Sequence, residues 1–301
     1  MSLDQALQSV VSVRATVPSD AFTADTLGTE RAGSGVVIRE NGLVLTIGYL
    51  ITEAEEVWLT KPDGNVVAGH ALAFDQETGF GLVQALGPLG LPAIPLGSGR
   101  KARVGDPVLL VDGTGHSVDA EIVARQEFAG YWEYLLDEAM FTAPAHPSWG
   151  GAALVDADGN LLGIGSLRLQ MSRGDEIEDI NMIVPIDLLT PILDDLLKRG
   201  QVNKPPRPWL GVFSAESNGE VIVMSVAEDG PAEKAGLQRG DIISDVRDRE
   251  VEGLADFYRR VWESGPAGTE LPIRVVRDGR ETWLRVKSAD RNSFLRKPQM
   301  Q

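Results

Sequence analysis

The chain has 301 residues, which suits two domains better than one. Its 43% apolar and 24% charged residues, with 33 Gly and 17 Pro, describe a globular, loop-rich protein rather than a fibrous or disordered one. A net charge of −16 argues against nucleic acid and anionic membrane surfaces as partners, and the absence of cysteine rules out disulfides, thiol catalysis and cysteine-zinc sites.

No stretch reaches the ~18 consecutive apolar residues of a membrane-spanning helix. The start, Met1-Ser2-Leu3-Asp4, lacks the basic-then-apolar pattern of a signal peptide. The first 190 residues read as short strands split by turns. Strands are expected at Gly35–Ile38, Leu43–Thr46, Glu56–Thr60, Pro107–Val111, Ala120–Gln126, Ala153–Asp156 and Leu161–Leu167. Asn41-Gly42, Asp63-Gly64 and Asp158-Gly159 supply the positive φ angles of tight turns. This punctuation predicts a mainly β barrel or sandwich.

At Ile186–Arg199 the apolar spacing becomes helical, with Lys198 and Arg199 in the last turn and Gly200 as the stop. Pro205, Pro206 and Pro208 then form a stiff linker. The expected division is a first domain over 1–200, a linker over 201–208, a smaller α+β domain over 209–289 and a polar, frayed tail over 290–301. In the smaller domain, strands are predicted at Leu210–Phe213, Val221–Val226, Asp241–Val246, Leu271–Arg277 and Glu281–Val286. A short helix is expected from Pro231 and a longer one over Ala255–Glu263.

The run Gly230-Pro231-Ala232-Glu233-Lys234-Ala235-Gly236-Leu237-Gln238-Arg239-Gly240-Asp241-Ile242-Ile243 resembles the PDZ domain of HtrA-type proteases. The resemblance implies that Trp209-Leu210-Gly211-Val212 forms the loop that holds a peptide's C-terminal carboxylate. A nest of successive backbone N–H groups suits an anion there. A ligand strand would add beside Gly211–Phe213. Phe257 and Val261, one helical turn apart, either line that groove or fill the domain core.

The first domain resembles the chymotrypsin-like domain of the same family. Gly33-Ser34-Gly35-Val36-Val37-Ile38, Gly42–Thr46, Val104–Val108, Leu154–Ile164 and Asn181–Ile186 carry the likeness through their order and spacing. A serine protease needs a nucleophile, an imidazole base and a carboxylate that orients it. At the positions matching those three, this chain has Tyr49, Gly79 and Gly150, with Trp149 at the nucleophile position if the alignment slips by one. A phenol of ordinary pKa near ~10 is a poor base at neutral pH, and glycine has no side chain.

The reading is therefore a degenerate, non-catalytic member that binds peptide or protein C-termini, and unfolded segments, in protein quality control. One alternative is an endopeptidase using a relocated Ser148–His146 pair, drawn from Ala145-His146-Pro147-Ser148-Trp149. Another is a regulatory subunit in mixed oligomers with active homologues. His70, in a predicted strand, and His116, in a Gly-rich loop, read as structural, and three scattered histidines make no metal site. Asp156–Asn160 opens like a calcium loop, but Leu167 stands at the last ligand position and the hairpin reading prevails. No cofactor is expected. The resemblance implies a trimer and a periplasmic or envelope location.

Overall fold

The computed structural model describes residues 3–173 and 176–296. Residues 297–301 of the predicted tail lie outside it. Two closed barrels come first. Strands β1 (Val10–Thr16), β2 (Glu30–Arg39), β3 (Leu43–Ile47), β4 (Glu56–Thr60), β5 (Val66–Phe74) and β6 (Phe80–Ala85) close in the order β1-β2-β3-β6-β5-β4. Strands β7 (Pro107–Val111), β8 (Ser117–Gly130), β9 (Tyr134–Ala143), β10 (Ala153–Val155), β11 (Leu161–Arg173) and β12 (Glu176–Pro185) close as β10-β11-β12-β9-β8-β7. Closure removes the exposed edges of both sheets. The unbroken apolar run of β3 is buried at every position, as expected of a strand covered on both faces.

After the barrels, the helical pattern at 186–199 is interrupted. A 3-10 turn covers Ile186–Leu188 and the α-helix begins only at Leu193, two residues beyond Pro191. Proline lacks the N–H that a continuous helix would need. Gly200 ends the helix at φ 70°, its N–H donating to the Leu196 carbonyl.

The last sheet contains β13 (Val212–Ser217), β14 (Glu220–Val226), β15 (Ile242–Val246), β16 (Arg249–Glu250), β17 (Glu270–Arg277) and β18 (Arg280–Lys287). Its order is β13-β14-β15-β17-β18, with β16 paired to β15, so β13 is an edge strand. Asp278 and Gly279, at φ 51° and 73°, make the two-residue turn between β17 and β18. The helix Leu254–Glu263 buries Leu254, Phe257, Tyr258 and Val261, the i, i+3, i+4, i+7 stripe of an amphipathic helix. Packed with Val223, Ile243, Ile273 and Val286, that stripe forms the core of the sheet.

Two compact units divide the chain differently from the expected continuous boundary. The second takes Lys204–Phe294 and, in addition, the hairpin tip Glu127–Asp137 between β8 and β9. The tail also differs from the expected frayed end. Arg291–Ser293 is a 3-10 turn capped by Asp290, and Phe294 packs on Trp209 with ring centroids 4.9 Å apart.

Candidate functional site

The end of β3 leads into a 3-10 turn, Gly48–Leu50, that presents Tyr49. Gly48 is required there, because a Cβ would stand 2.0 Å from the Phe74 ring. Its N–H donates to the Gly79 carbonyl at 2.7 Å, which brings Gly79 beside the Tyr49 turn. Arg31 pins the same turn by donating to the carbonyls of Tyr49 and Thr52, both at 2.9 Å.

The Tyr49 hydroxyl donates to the Ser166 carbonyl of β11 at 2.9 Å. Burial pushes its pKa upward, against a weaker opposing hydrogen bond with Trp149. A side chain on Gly150 would begin 2.8 Å from that hydroxyl. Tyr49 thus fills the space that a residue at 150 would need for a nucleophilic oxygen. Gly79 sits at φ 82°, in the left-handed region that glycine favours. Gly79 and Gly150 both adjoin the Tyr49 turn, and neither has a side chain.

The neighbouring loop is held by its own bonds. The buried His146 imidazole accepts the Ser148 backbone N–H at Nδ1, 3.0 Å away. Its Nε2 lies 3.1 Å from His116 Nδ1 and 3.2 Å from the His116 carbonyl. Neutral His146 therefore carries its proton on Nε2 and has no lone pair left for the Ser148 hydroxyl. The N–H two residues before a serine nucleophile is ordinarily an oxyanion donor. Here that N–H, of Ser148, is bound within the loop.

The histidines are not scattered as expected, since His116 and His146 meet edge to face at 4.8 Å. With Asp112 they place possible ligand atoms within 4.8 Å of one another. Asp112 Oδ1 already accepts from the Thr114 N–H, the Thr114 hydroxyl and the His116 N–H. Internal donors account for this cluster. Asp156 likewise accepts from Asp158 and Asn160 within its own hairpin.

In the second unit, the N–H groups of Leu210, Gly211 and Val212 converge as the nest reading requires, with β13 starting at Val212 rather than at Leu210. They converge on a carboxylate. Glu133 Oε1 accepts from Leu210, Gly211 and Val212 at 3.2, 2.7 and 3.0 Å, and Oε2 from Leu210 at 3.1 Å. Burial is the largest influence and pushes the Glu133 carboxyl up to about 7, opposed by the three N–H donors and by the Arg291 charge. Phe213 is half-buried, its ring 6.3 Å from Tyr131. Phe257 and Val261 are fully buried, and they share one hydrophobic cluster with Leu210, Val212 and Leu135 of the hairpin tip. The core reading therefore fits both side chains.

Nothing in the sequence reasoning anticipated Glu133. The available signal was compositional: Phe128, Tyr131, Trp132 and Tyr134 crowd into seven positions of a chain that is 6% aromatic.

Residues 33–164 match the trypsin-like peptidase domain family and residues 208–287 the PDZ domain family. Among curated proteins, the serine endoprotease DegS of Escherichia coli K12 is 28% identical over 275 residues, covering 84% of this chain and 75% of that one. A probable periplasmic DegP-like serine endoprotease of Pseudomonas putida is 28% identical over 269 residues, and the match spans 55% of its length. The Bacillus subtilis serine protease Do-like HtrA is 24% identical over 287 residues, 85% of this chain and 63% of that one. Among solved structures, the HtrA-type protease AlgW with a decapeptide matches with a TM-score of 0.56 at 24% identity, covering 99% of this chain and 100% of that one. The serine endoprotease from Yersinia pestis gives 0.55 at 24% identity, covering 96% and 98%. These structures share the fold.

Proposed function

We propose that this chain, which joins a trypsin-like peptidase domain to a PDZ domain and is homologous to the DegS, DegP and HtrA serine endoproteases, is a non-catalytic, peptide-binding member of that group. The observation that carries the binding half is the nest at Leu210–Val212, whose three N–H groups already hold a carboxylate. A donor array of this kind is the means by which a PDZ loop recognises a C-terminus, with β13 offering its edge for strand addition.

The non-catalytic half is supported by the cleft. Tyr49, Gly79 and Gly150 offer no acyl-transfer chemistry, and the bonds of His146 leave Ser148 without a base. The homologues named above are proteases, so the proposal separates this chain from them by its site rather than by its fold. A role in protein quality control and a periplasmic location, the latter drawn from the name of the Pseudomonas putida relative, belong to the same proposal.

A screen of C-terminal peptides tests the binding half. Ligands with apolar last residues are expected to bind, and amidation of the terminal carboxylate is expected to abolish binding. Equal binding of acids and amides would overturn the reading.

A further inference from the structure

We propose that the hairpin tip Tyr131–Glu133 is a built-in ligand of the PDZ groove, with Glu133 standing in for a terminal carboxylate that an incoming peptide must displace. This rests on reading the Leu210–Val212 nest as a C-terminus site.

The mimicry extends beyond one carboxylate. From Glu133 at the nest, the chain runs back to Tyr131, whose carbonyl accepts the Ser214 N–H at 2.8 Å. Two residues back along the hairpin therefore correspond to two residues forward along β13. That is the register of an added antiparallel strand on the free edge of the sheet. Leu135 joins the cluster of Leu210, Val212, Phe257 and Val261, so an apolar side chain accompanies the carboxylate, as in a peptide with an apolar last residue.

The backbone is shaped for this task. Glu133 holds φ 57°, which turns its side chain out of a continuous strand, and a Cβ on Gly130 would begin 2.7 Å from the Trp132 ring. Tyr258 fixes the tip from the helix Leu254–Glu263. Its hydroxyl donates to the Gly130 carbonyl at 2.8 Å and accepts the Glu133 N–H at 3.2 Å. Arg259 adds ion pairs to Glu127 and Asp137.

The Arg259 pairs are the weaker of these anchors. The ion pairs are solvent-exposed, Asp137 being 87% exposed, and pairs of that kind hold weakly. Tyr131 is 60% exposed although its carbonyl fills the strand position. A tethered carboxylate acts at an effective concentration in the millimolar range, which lowers the apparent affinity of any external C-terminus by the fraction of grooves already filled. The groove is thus tuned to ligands that bind well enough to compete.

The test compares the wild-type chain with Glu133→Ala, which removes the carboxylate, and Glu133→Gly, which removes it and keeps the left-handed backbone. The probe is a pool of fluorescein-labelled decapeptides ending in Val, Leu, Ile or Phe, with the amidated pool as control, read by fluorescence anisotropy. Amide hydrogen exchange of Leu210–Val212 is measured without peptide. Both variants are expected to bind the free-acid pool about tenfold or more tightly than wild type. Their Leu210–Val212 amides are expected to exchange at least about tenfold faster. Unchanged exchange, or equal affinity of wild type and both variants, overturns the proposal and leaves the C-terminus reading standing. Faster exchange with no binding of the free-acid pool by any form overturns both.

Discussion

The barrel cleft and the PDZ nest are both filled from within, but in different ways. In the cleft, Tyr49 occupies the space beside Gly150, its hydroxyl bound to the Ser166 carbonyl. In the nest, the donors of Leu210, Gly211 and Val212 are intact and correctly aimed, and Glu133 is one occupant they can hold. Substitution removes a function that requires particular side chains. Occupancy only competes with a function that requires backbone N–H groups, because every residue except proline supplies one. On the proposed reading, the same fold loses catalysis and keeps recognition.

The sharpest way to break this contrast is to ask whether the cleft backbone tolerates change. Gly151 has φ 77°, and a Cβ there would lie 1.9 Å from the Ser34 carbonyl oxygen. Gly151→Ala is expected to destabilise the barrels by more than ~4 kcal/mol, or to prevent folding, because backbone rather than a flexible side chain must yield. Urea denaturation followed by circular dichroism would register this, and a wild-type midpoint would show that the cleft is adaptable after all.

A smaller effect separates the nest from the cleft by pH. The Glu133 carboxyl lies at about 7 in the folded chain against an ordinary 4.5. A folded pKa raised above the unfolded one gives stability that is complete below about 4.5 and lost as pH rises through about 7. The groups facing this carboxyl are Tyr258 from the helix and Arg291 from the terminal turn, beside the N–H groups of Leu210, Gly211 and Val212. Relative to Glu133→Gln, wild type should lose on the order of 3 kcal/mol between pH 4.5 and 8, measured by denaturation at each pH. A pH-independent difference would show that Glu133 is not buried against the nest.

Smaller again is the expected cost of putting the hydroxyl back. Gly150→Ser should destabilise by about 1–3 kcal/mol by pushing on the Tyr49 hydroxyl and its bond to Ser166. In a Tyr49→Ala background most of that added cost should disappear. Additive losses in the double-mutant cycle would mean that the two positions do not share a space.

The barrels and the PDZ sheet were legible because strands, Asn-Gly and Asp-Gly turns and the Gly230–Ile243 run are local patterns. The glycines at 79 and 150 were legible for the same reason, since a missing side chain is visible in a string of letters. Glu133 was not. Its meaning depends on a contact with residues 77 to 79 positions away in sequence, and on a left-handed backbone at a residue that rarely adopts one. The His116–His146 pair escaped notice likewise, because 30 intervening residues hide an edge-to-face contact. Helical spacing at Phe257 and Val261 identified a face but not what covers it.

The central claim is that recognition persists where catalysis has been lost. The most direct test incubates the purified chain with unfolded casein and, separately, with a fluorophosphonate probe read by intact mass. The account predicts undigested casein and no adduct. Cleavage or labelling that disappears in Ser148→Ala would contradict it.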